Sequence, residues 1–325
     1  MVEQNPKKAI QGTCSDALTQ KVNAIEKGYF IDPYQLEFIS QQNKQKYLPI
    51  INKGVWSRVQ AIRSQVEYLI KNNSNNKTQI INLGCGMDSL HFHLRNIFPG
   101  SHFSTLELDY SEITKQKIKF IQSSQLLSGF FSEKDIEVSS DKKNFLSSNY
   151  KLLDCDLSIK EKVLSCLKQA EFEKENLTVI LAECFLCYLS TEDIQSLLKM
   201  FTAEYSNCVI IYYDLIHPSD EFGKVMIKNL RDYRGIILPS YLECPDEKAQ
   251  IDRLVSCGFT QGNVCVDMLN YFNLLIDEEL KKKINHLELM DEMEEWNLLQ
   301  KHSCIGVGIK KESKEFGFLD GYKLK

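Results

Sequence analysis

The sequence predicts an α/β fold built on a mostly parallel β-sheet, and two patterns carry that prediction. Short apolar or alternating segments of strand length are separated by segments that have the period of amphipathic helices. One strand segment, residues 177–184 (LTVILAEC), is apolar almost throughout, as expected for a strand that helices cover on both faces. Strands and helices that alternate in this way are typical of βαβ units, which build parallel sheets.

Each predicted element has its own local signal. In the first helix, apolar residues recur at steps of four and three from Val55 to Leu69, and a further helix is expected after the second strand, with Ile113 and Ile121 on one face and Lys117 between them. The expected strands are residues 78–84, 102–109, 150–157, 177–184, 208–216 and a last one at 302–309, and the segment 262–268 (GNVCVDM) comes before that last strand. The other expected helices are residues 160–170, 191–201, 222–233, 246–256 and an acidic one at 277–301. The Ser- and Lys-rich residues 122–149 show no period and predict an exposed insertion.

Composition limits the class of protein. The 325 residues, 43% hydrophobic and 26% charged, suffice for one large domain with a substantial core. A net charge of −5 disfavours binding to the phosphate backbone of a nucleic acid. The 11 cysteines lack metal-ligand spacing, so Cys184 and Cys187 are interpreted as buried thiols of a reducing compartment. The chain start has no apolar leader and no run is long enough to span a bilayer, so we expect a soluble, cytoplasmic protein with no membrane partner.

Chemistry-bearing residues follow the predicted strands, where ligands bind in open parallel sheets. Gly84 and Gly86 form a turn after the first strand that lets a ligand approach the backbone closely, although Ser89 replaces the third glycine of a dinucleotide fingerprint. Asp109, Asp156 and Glu183 come at or near the ends of three further strands. Three acids without a P-loop lysine suit an adenosine that carries no phosphates, and the sulfonium of S-adenosylmethionine suits acidic neighbours.

Ten sequence blocks between residues 11 and 310 carry a family resemblance. They read GTCSDALTQK, GYFIDPY, INKGVWSRV, INLGCGMD, LELD, CDL, LAECFLCYLS, FGKVMIKNLR, VDM and DEME. In these blocks the chain resembles the leucine carboxyl methyltransferase family, which methylates the C-terminal leucine of the protein phosphatase 2A catalytic subunit. The resemblance implies S-adenosylmethionine as cofactor and the phosphatase subunit as partner.

The resemblance also implies an architecture and a set of site residues. The fold would be that of a class I methyltransferase, with a Rossmann-like, seven-stranded sheet in one domain. Its parts would be an N-terminal helical cap (1–75), a cofactor-binding core (76–216), a lid with the C-terminal strands (217–310) and a tail (311–325). The residues that resemble the family's cofactor contacts, taken with the second glycine of the turn, are Lys21, Arg58, Gly84, Gly86, Asp109, Asp156, Leu157 and Glu183. Arg58 would offer a guanidinium fork to the cofactor's methionine carboxylate.

The chemistry of carboxyl methylation limits what else the site needs. A C-terminal carboxyl group has a pKa of about 3.5 and is ionised at neutral pH, so we expect no general base and no metal. Tyr188, Arg231 and Arg234 are candidates for orienting the peptide end. A monomer is expected. Two alternatives stay open: a carboxyl methyltransferase of the transfer-RNA wybutosine type, disfavoured by the acidic charge, and a non-catalytic module that binds a phosphatase.

Overall fold

A nine-stranded mixed sheet forms the centre of the computed structural model, which describes residues 6–325. Its strands are β1 (Thr78–Leu83), β2 (Phe103–Asp109), β3 (Glu137–Val138), β4 (Phe145–Leu146), β5 (Tyr150–Asp154), β6 (Leu177–Glu183), β7 (Asn207–Leu215), β8 (Gln261–Asp267) and β9 (Ser303–Lys310). They lie side by side in the order β3-β4-β5-β2-β1-β6-β7-β9-β8. The five central strands, which are β5, β2, β1, β6 and β7 in sheet order, are parallel to one another. The strands at both edges of the sheet pair antiparallel. The predicted α/β class is confirmed.

Helices cover both faces of the sheet. They are α1 (Pro6–Glu26), α2 (Pro49–Asn72), α3 (Leu90–Ile97), α4 (Ser111–Ser123), α5 (Gln125–Ser128), α6 (Lys160–Ala170), α7 (Thr191–Glu204), α8 (Glu221–Arg234), α9 (Glu247–Ser256), α10 (Met268–Asn270), α11 (Glu278–Asn285) and α12 (Met293–Lys301). Along β6, Val179 and Leu181 join the core beneath α2, whereas Ile180 and Ala182 join the core on the opposite face. This division explains why the β6 segment is apolar without alternation. No helix within residues 6–325 has both the length and the apolar character needed to cross a membrane.

The region expected to be an exposed insertion differs from that prediction. Residues 122–149 contain the short strands β3 and β4, which extend the sheet beyond β5 and raise the strand number from the expected seven to nine. Leu127 and Phe145 are fully buried there in an aromatic cluster with Tyr150. The prediction was wrong because the many Ser and Lys side chains conceal a few apolar residues that anchor the segment.

Two features of the C-terminal part differ from what the local sequence pattern suggests. The acidic helix expected at 277–301 is interrupted between α11 and α12, where Glu288 turns inward to accept a hydrogen bond from Asn52 at 2.8 Å and to pair with Lys27 at 3.3 Å. Residues 311–325, the expected tail, pack against the main core, where Phe316 and Leu319 are buried. Tertiary contacts therefore outweigh the local pattern in both places.

The connections around β1 create the place for a ligand. From β1 the chain passes through α3 to β2 on one side, and β6 pairs with β1 on the other side. A crevice forms at such a switch point, outside the carboxyl ends of the strands. Helix α1 lies across this crevice, and the residues from Ile10 to Lys21 contribute many of its walls.

Candidate active site

A cavity of about 280 Å³ occupies the carboxyl ends of the central strands. Its floor comes from the segments that follow β1, β2, β5 and β6, and it is closed above by α1 and by the C-terminal end of α8. Nine of the residues predicted from the sequence line it: Lys21, Arg58, Gly84, Gly86, Asp109, Leu157, Glu183, Tyr188 and Arg234.

The glycine turn after β1 has the backbone that the sequence predicted. Gly84 and Gly86 have φ angles of 63° and 52°, in the left-handed region that favours glycine. A Cβ atom on Gly84 would also come within 2.7 Å of the Phe185 ring. Ser89, in the third fingerprint position, is buried and donates to Asp32 at 2.6 Å, so it has a structural contact of its own.

Asp109 ends β2 with both carboxylate oxygens held by the backbone. Oδ2 accepts from the Gly86 amide and Oδ1 accepts from the Tyr110 amide, each at 2.7 Å. Burial raises the pKa of Asp109 to about 6, even though these two amides and Lys117 act in the opposite direction. Each oxygen retains a further lone pair, so the side chain can still accept hydrogen bonds from a ligand hydroxyl in the cavity.

Lys21, Arg58 and Glu183 form a charged group on the opposite wall. Glu183 Oε2 lies 3.0 Å from Lys21 Nζ, and its Oε1 lies 2.9 Å from Arg58 Nε. Burial disfavours the charge of Lys21, but Asp88 and Glu183 outweigh burial and raise its pKa. Arg58 Nη1 contacts Cys184 Sγ at 3.8 Å, and Arg58 Nη2 is buried without a hydrogen-bond partner in residues 6–325. Because Arg58 lines the cavity, its guanidinium has donor capacity that a ligand acceptor could use.

Two of the predicted residues do not line the cavity. Asp156 lies two residues beyond β5, where its carboxylate pairs with Lys7 and accepts from Ser158 Oγ at 2.7 Å. Burial acts to raise the pKa of Asp156, but the Lys7 and Ser158 contacts outweigh it and lower the pKa. The neighbouring Leu157 reaches the cavity instead, as an apolar contact.

The other residue outside the cavity is Arg231, whose side chain is 62% exposed and paired with Asp232 at 2.8 Å. Leu230 and Arg234, four residues apart on α8, lie on the helix face that lines the cavity, and Arg231 projects outside that face. Arg234 pairs with Asp16 of α1, so the two elements that cover the cavity are joined at its mouth. Tyr188 lines the cavity between them, and burial raises the pKa of its phenol.

Sequence reasoning missed the contribution of α1. Cys14, Asp16 and Ala17 line the cavity, and Lys21 was the only residue of this helix singled out beforehand. Asp88, which follows the glycine turn and lies 3.4 Å from Lys21, was missed as well. A signal was present for Asp88, since the residue directly follows the turn. For α1 the family block GTCSDALTQK was a signal, since it contains these residues, but nothing local shows which strand ends a remote helix covers.

The central parallel sheet, the switch point at β1 and the cavity at its edge define a class I methyltransferase fold. A Thermobifida fusca protein assigned as a methyltransferase has a similar fold, with a TM-score of 0.54 and 11% identity over 82% of this chain and 84% of that one. A DUF574 family protein from Streptomyces avermitilis gives a TM-score of 0.54 at 10% identity, over 90% of this chain and all of its own.

Sequence comparison then gives the family. Residues 4–202 match the family model described as leucine carboxyl methyltransferase. The chain is 33% identical over 309 residues to the leucine carboxyl methyltransferase 1 homolog of Arabidopsis thaliana, covering 95% of this chain and 91% of the relative. It is 30% identical over 302 residues to leucine carboxyl methyltransferase 1 of Bos taurus, covering 91% and 88%. The chain belongs to the leucine carboxyl methyltransferase family, which confirms the resemblance seen in the sequence blocks.

Proposed function

We propose that this protein is an S-adenosylmethionine-dependent methyltransferase that esterifies the C-terminal leucine carboxylate of the protein phosphatase 2A catalytic subunit. Family membership supports the reaction class. The single observation that carries the cofactor proposal is the Arg58 guanidinium, which belongs to a residue lining the cavity and whose buried Nη2 has no hydrogen-bond partner in residues 6–325. A carboxylate is the natural acceptor for that donor, and the amino-acid end of S-adenosylmethionine carries one.

The remaining residues of the cavity fit the rest of such a cofactor. Asp109 lies opposite Arg58 at the glycine turn and can accept from the two hydroxyls of a ribose. Gly84 and Gly86 leave room beside it, and Leu157 offers an apolar contact for a base. When bound, S-adenosylmethionine supplies an electrophilic methyl group on a sulfonium. Asp88 and Glu183 place negative charge in the same cavity, which suits a cation.

The methyl acceptor needs orientation more than activation. A C-terminal carboxylate is ionised well below neutral pH, so no side chain has to remove a proton and no metal has to lower a pKa. The chain must hold one carboxylate oxygen in line with the methyl group and keep water away, which is catalysis by proximity and orientation. Tyr188 and Arg234 line the part of the cavity nearest the lid and are the side chains proposed to hold the peptide end.

The proposed setting follows from the thiols and the charge of the chain. All eleven cysteines are free, which suits the reducing cytoplasm. A net charge of −5 favours a protein partner over a transfer RNA. We propose that the chain acts as a monomer on the phosphatase subunit, without a nucleic acid or membrane partner.

One methylation assay tests the proposal. The purified chain is incubated with methyl-labelled S-adenosylmethionine and either intact phosphatase catalytic subunit or a form that lacks its terminal leucine. We expect label on the intact subunit alone, as a base-labile ester. In a third incubation, with transfer RNA in place of the phosphatase, label on the RNA would support the wybutosine-type alternative. Binding of the phosphatase without any label, although the cofactor binds, would support a non-catalytic module.

A further inference from the structure

A fully buried ion pair lies behind the wall of the cavity. Lys117, in the second turn of α4, has an exposed side-chain fraction of 0%, and its Nζ lies 2.6 Å from Glu107 Oε2. The Tyr150 hydroxyl donates to the same oxygen at 2.6 Å. None of these three residues lines the cavity, so none of them can touch a ligand there.

Stability alone is a weak reason for such a pair. Desolvation of two charges roughly offsets their attraction, and apolar side chains of the same volume often stabilise a core equally well. The position of the pair is more informative. Glu107 and Asp109 are two residues apart on β2, so their side chains leave the same face of the sheet. The Lys117 ammonium therefore lies next to the strand end that presents Asp109 to the cavity.

The groups that face Asp109 come from four elements. Glu107 and Tyr110 flank it on its own segment, Cys14 faces it from α1 and Cys85 from the glycine turn, and Lys117 faces it from α4. Lys117 is the cation among them, and it acts against the effect of burial on Asp109. Glu107 is the anion that balances Lys117.

We propose that Lys117 is a positioning residue for the cofactor site, whose charge keeps the Asp109 carboxylate in its ionised, hydrogen-bond-accepting form. Glu107 sets how much of that charge Asp109 experiences, because it forms an ion pair with the ammonium. The inference rests on the proposed function, since it assumes that Asp109 receives ribose hydroxyls.

The two members of the pair should then shift ligand binding in opposite directions. With a pKa of about 6 for Asp109, the affinity of the wild type for a ribose ligand should fall about tenfold between pH 8 and pH 5. In Glu107→Gln, Lys117 acts on Asp109 without a balancing anion, so the midpoint of that fall moves to lower pH. In Lys117→Met/Glu107→Gln, both charges are gone and the midpoint moves to higher pH.

The experiment measures the dissociation constant of 5′-methylthioadenosine by calorimetry from pH 5 to 8. This probe has the ribose and the adenine but no amino-acid end, so Arg58 does not contribute to the profile. The matched control is Lys281→Met/Glu278→Gln, an ion pair at the same 2.6 Å distance on α11, away from the cavity. Circular dichroism checks that each variant is folded. If the Lys117→Met/Glu107→Gln variant is not folded, the pH midpoint of Glu107→Gln alone tests the role of Lys117.

The expected result is a pH midpoint below that of the wild type in Glu107→Gln and above it in Lys117→Met/Glu107→Gln. The midpoint of the control variant should equal that of the wild type. If the wild type and the variants all bind the probe with the same pH dependence, the role of Lys117 is overturned and the proposed function stays intact. A wild type that binds neither 5′-methylthioadenosine nor S-adenosylhomocysteine would instead overturn the proposed cofactor site.

Discussion

Replacing Arg58 with lysine separates a cofactor contact from a structural role. Lysine keeps the positive charge beside Glu183 but loses the planar fork and the buried Nη2 donor. A hydrogen bond to a charged group contributes about 1.5–3 kcal/mol. The loss of one such bond, at about 1.4 kcal/mol for each factor of ten, predicts an affinity for S-adenosylhomocysteine that is roughly 10- to 150-fold lower.

The assay compares two ligands in the same variant. S-adenosylhomocysteine has the amino-acid carboxylate, whereas 5′-methylthioadenosine lacks it, so calorimetry should show a large loss for the first and a change of less than about threefold for the second. Arg63→Lys is the control, because Arg63 lies on the same helix, pairs with Asp32 and does not line the cavity. An equal loss of affinity for both ligands would refute the reasoning and leave Arg58 with a role in the fold alone.

Three further predictions concern the rest of the cavity. Asp109→Ala should make the binding free energy of both adenosine ligands, measured by calorimetry, less favourable by about 2–4 kcal/mol, because two charge-assisted hydrogen bonds are lost. An unchanged dissociation constant would contradict the assignment of Asp109 to the ribose. Arg234→Gln should raise the KM for the phosphatase at least about fivefold and leave cofactor affinity unchanged, whereas Arg231→Gln should change KM little; the reverse ranking would return the role to Arg231. With saturating cofactor, single-turnover methylation should stay flat from about pH 6 to 8.5, in the wild type and in His217→Ala, because the acceptor carboxylate is already ionised; a rise of about tenfold across pH 6–7 that is lost in the variant would reveal a general base.

The fold was predictable because its signals are local. Apolar residues at steps of three and four in α2 are all buried, and the continuous apolar run of β6 contributes to cores on both of its faces. Most of the candidate site followed from the same pattern, because the carboxyl ends of parallel strands meet at one edge. Gly84, Asp109 and Glu183 are far apart in the sequence and line one cavity for that reason.

What the sequence did not show depends on partners that are distant along the chain. Lys117 lies on the inner face of α4 as the helical period suggests, but its buried partner Glu107 belongs to another element. The break before α12 occurs where Glu288 meets Asn52, more than 200 residues away in the chain. Arg231 and Arg234 are equivalent as residue types, and only the packing of α8 decides which of them reaches the cavity.

The charges of the cavity suit the two groups of the proposed reaction, a sulfonium and a carboxylate. Glu183 is held between Lys21 and Arg58, so these three charges partly balance one another, and the Nη2 amino group of Arg58 is left without a hydrogen-bond partner in residues 6–325. Asp16 likewise occupies Arg234 at the mouth of the cavity. To bind Arg234, the carboxylate of the peptide must therefore displace the Asp16 carboxylate. The carboxylate of the cofactor instead meets Arg58, whose Nη2 has no hydrogen-bond partner in residues 6–325. This difference favours binding of the cofactor before the peptide, because the first step breaks no ion pair and the second one does.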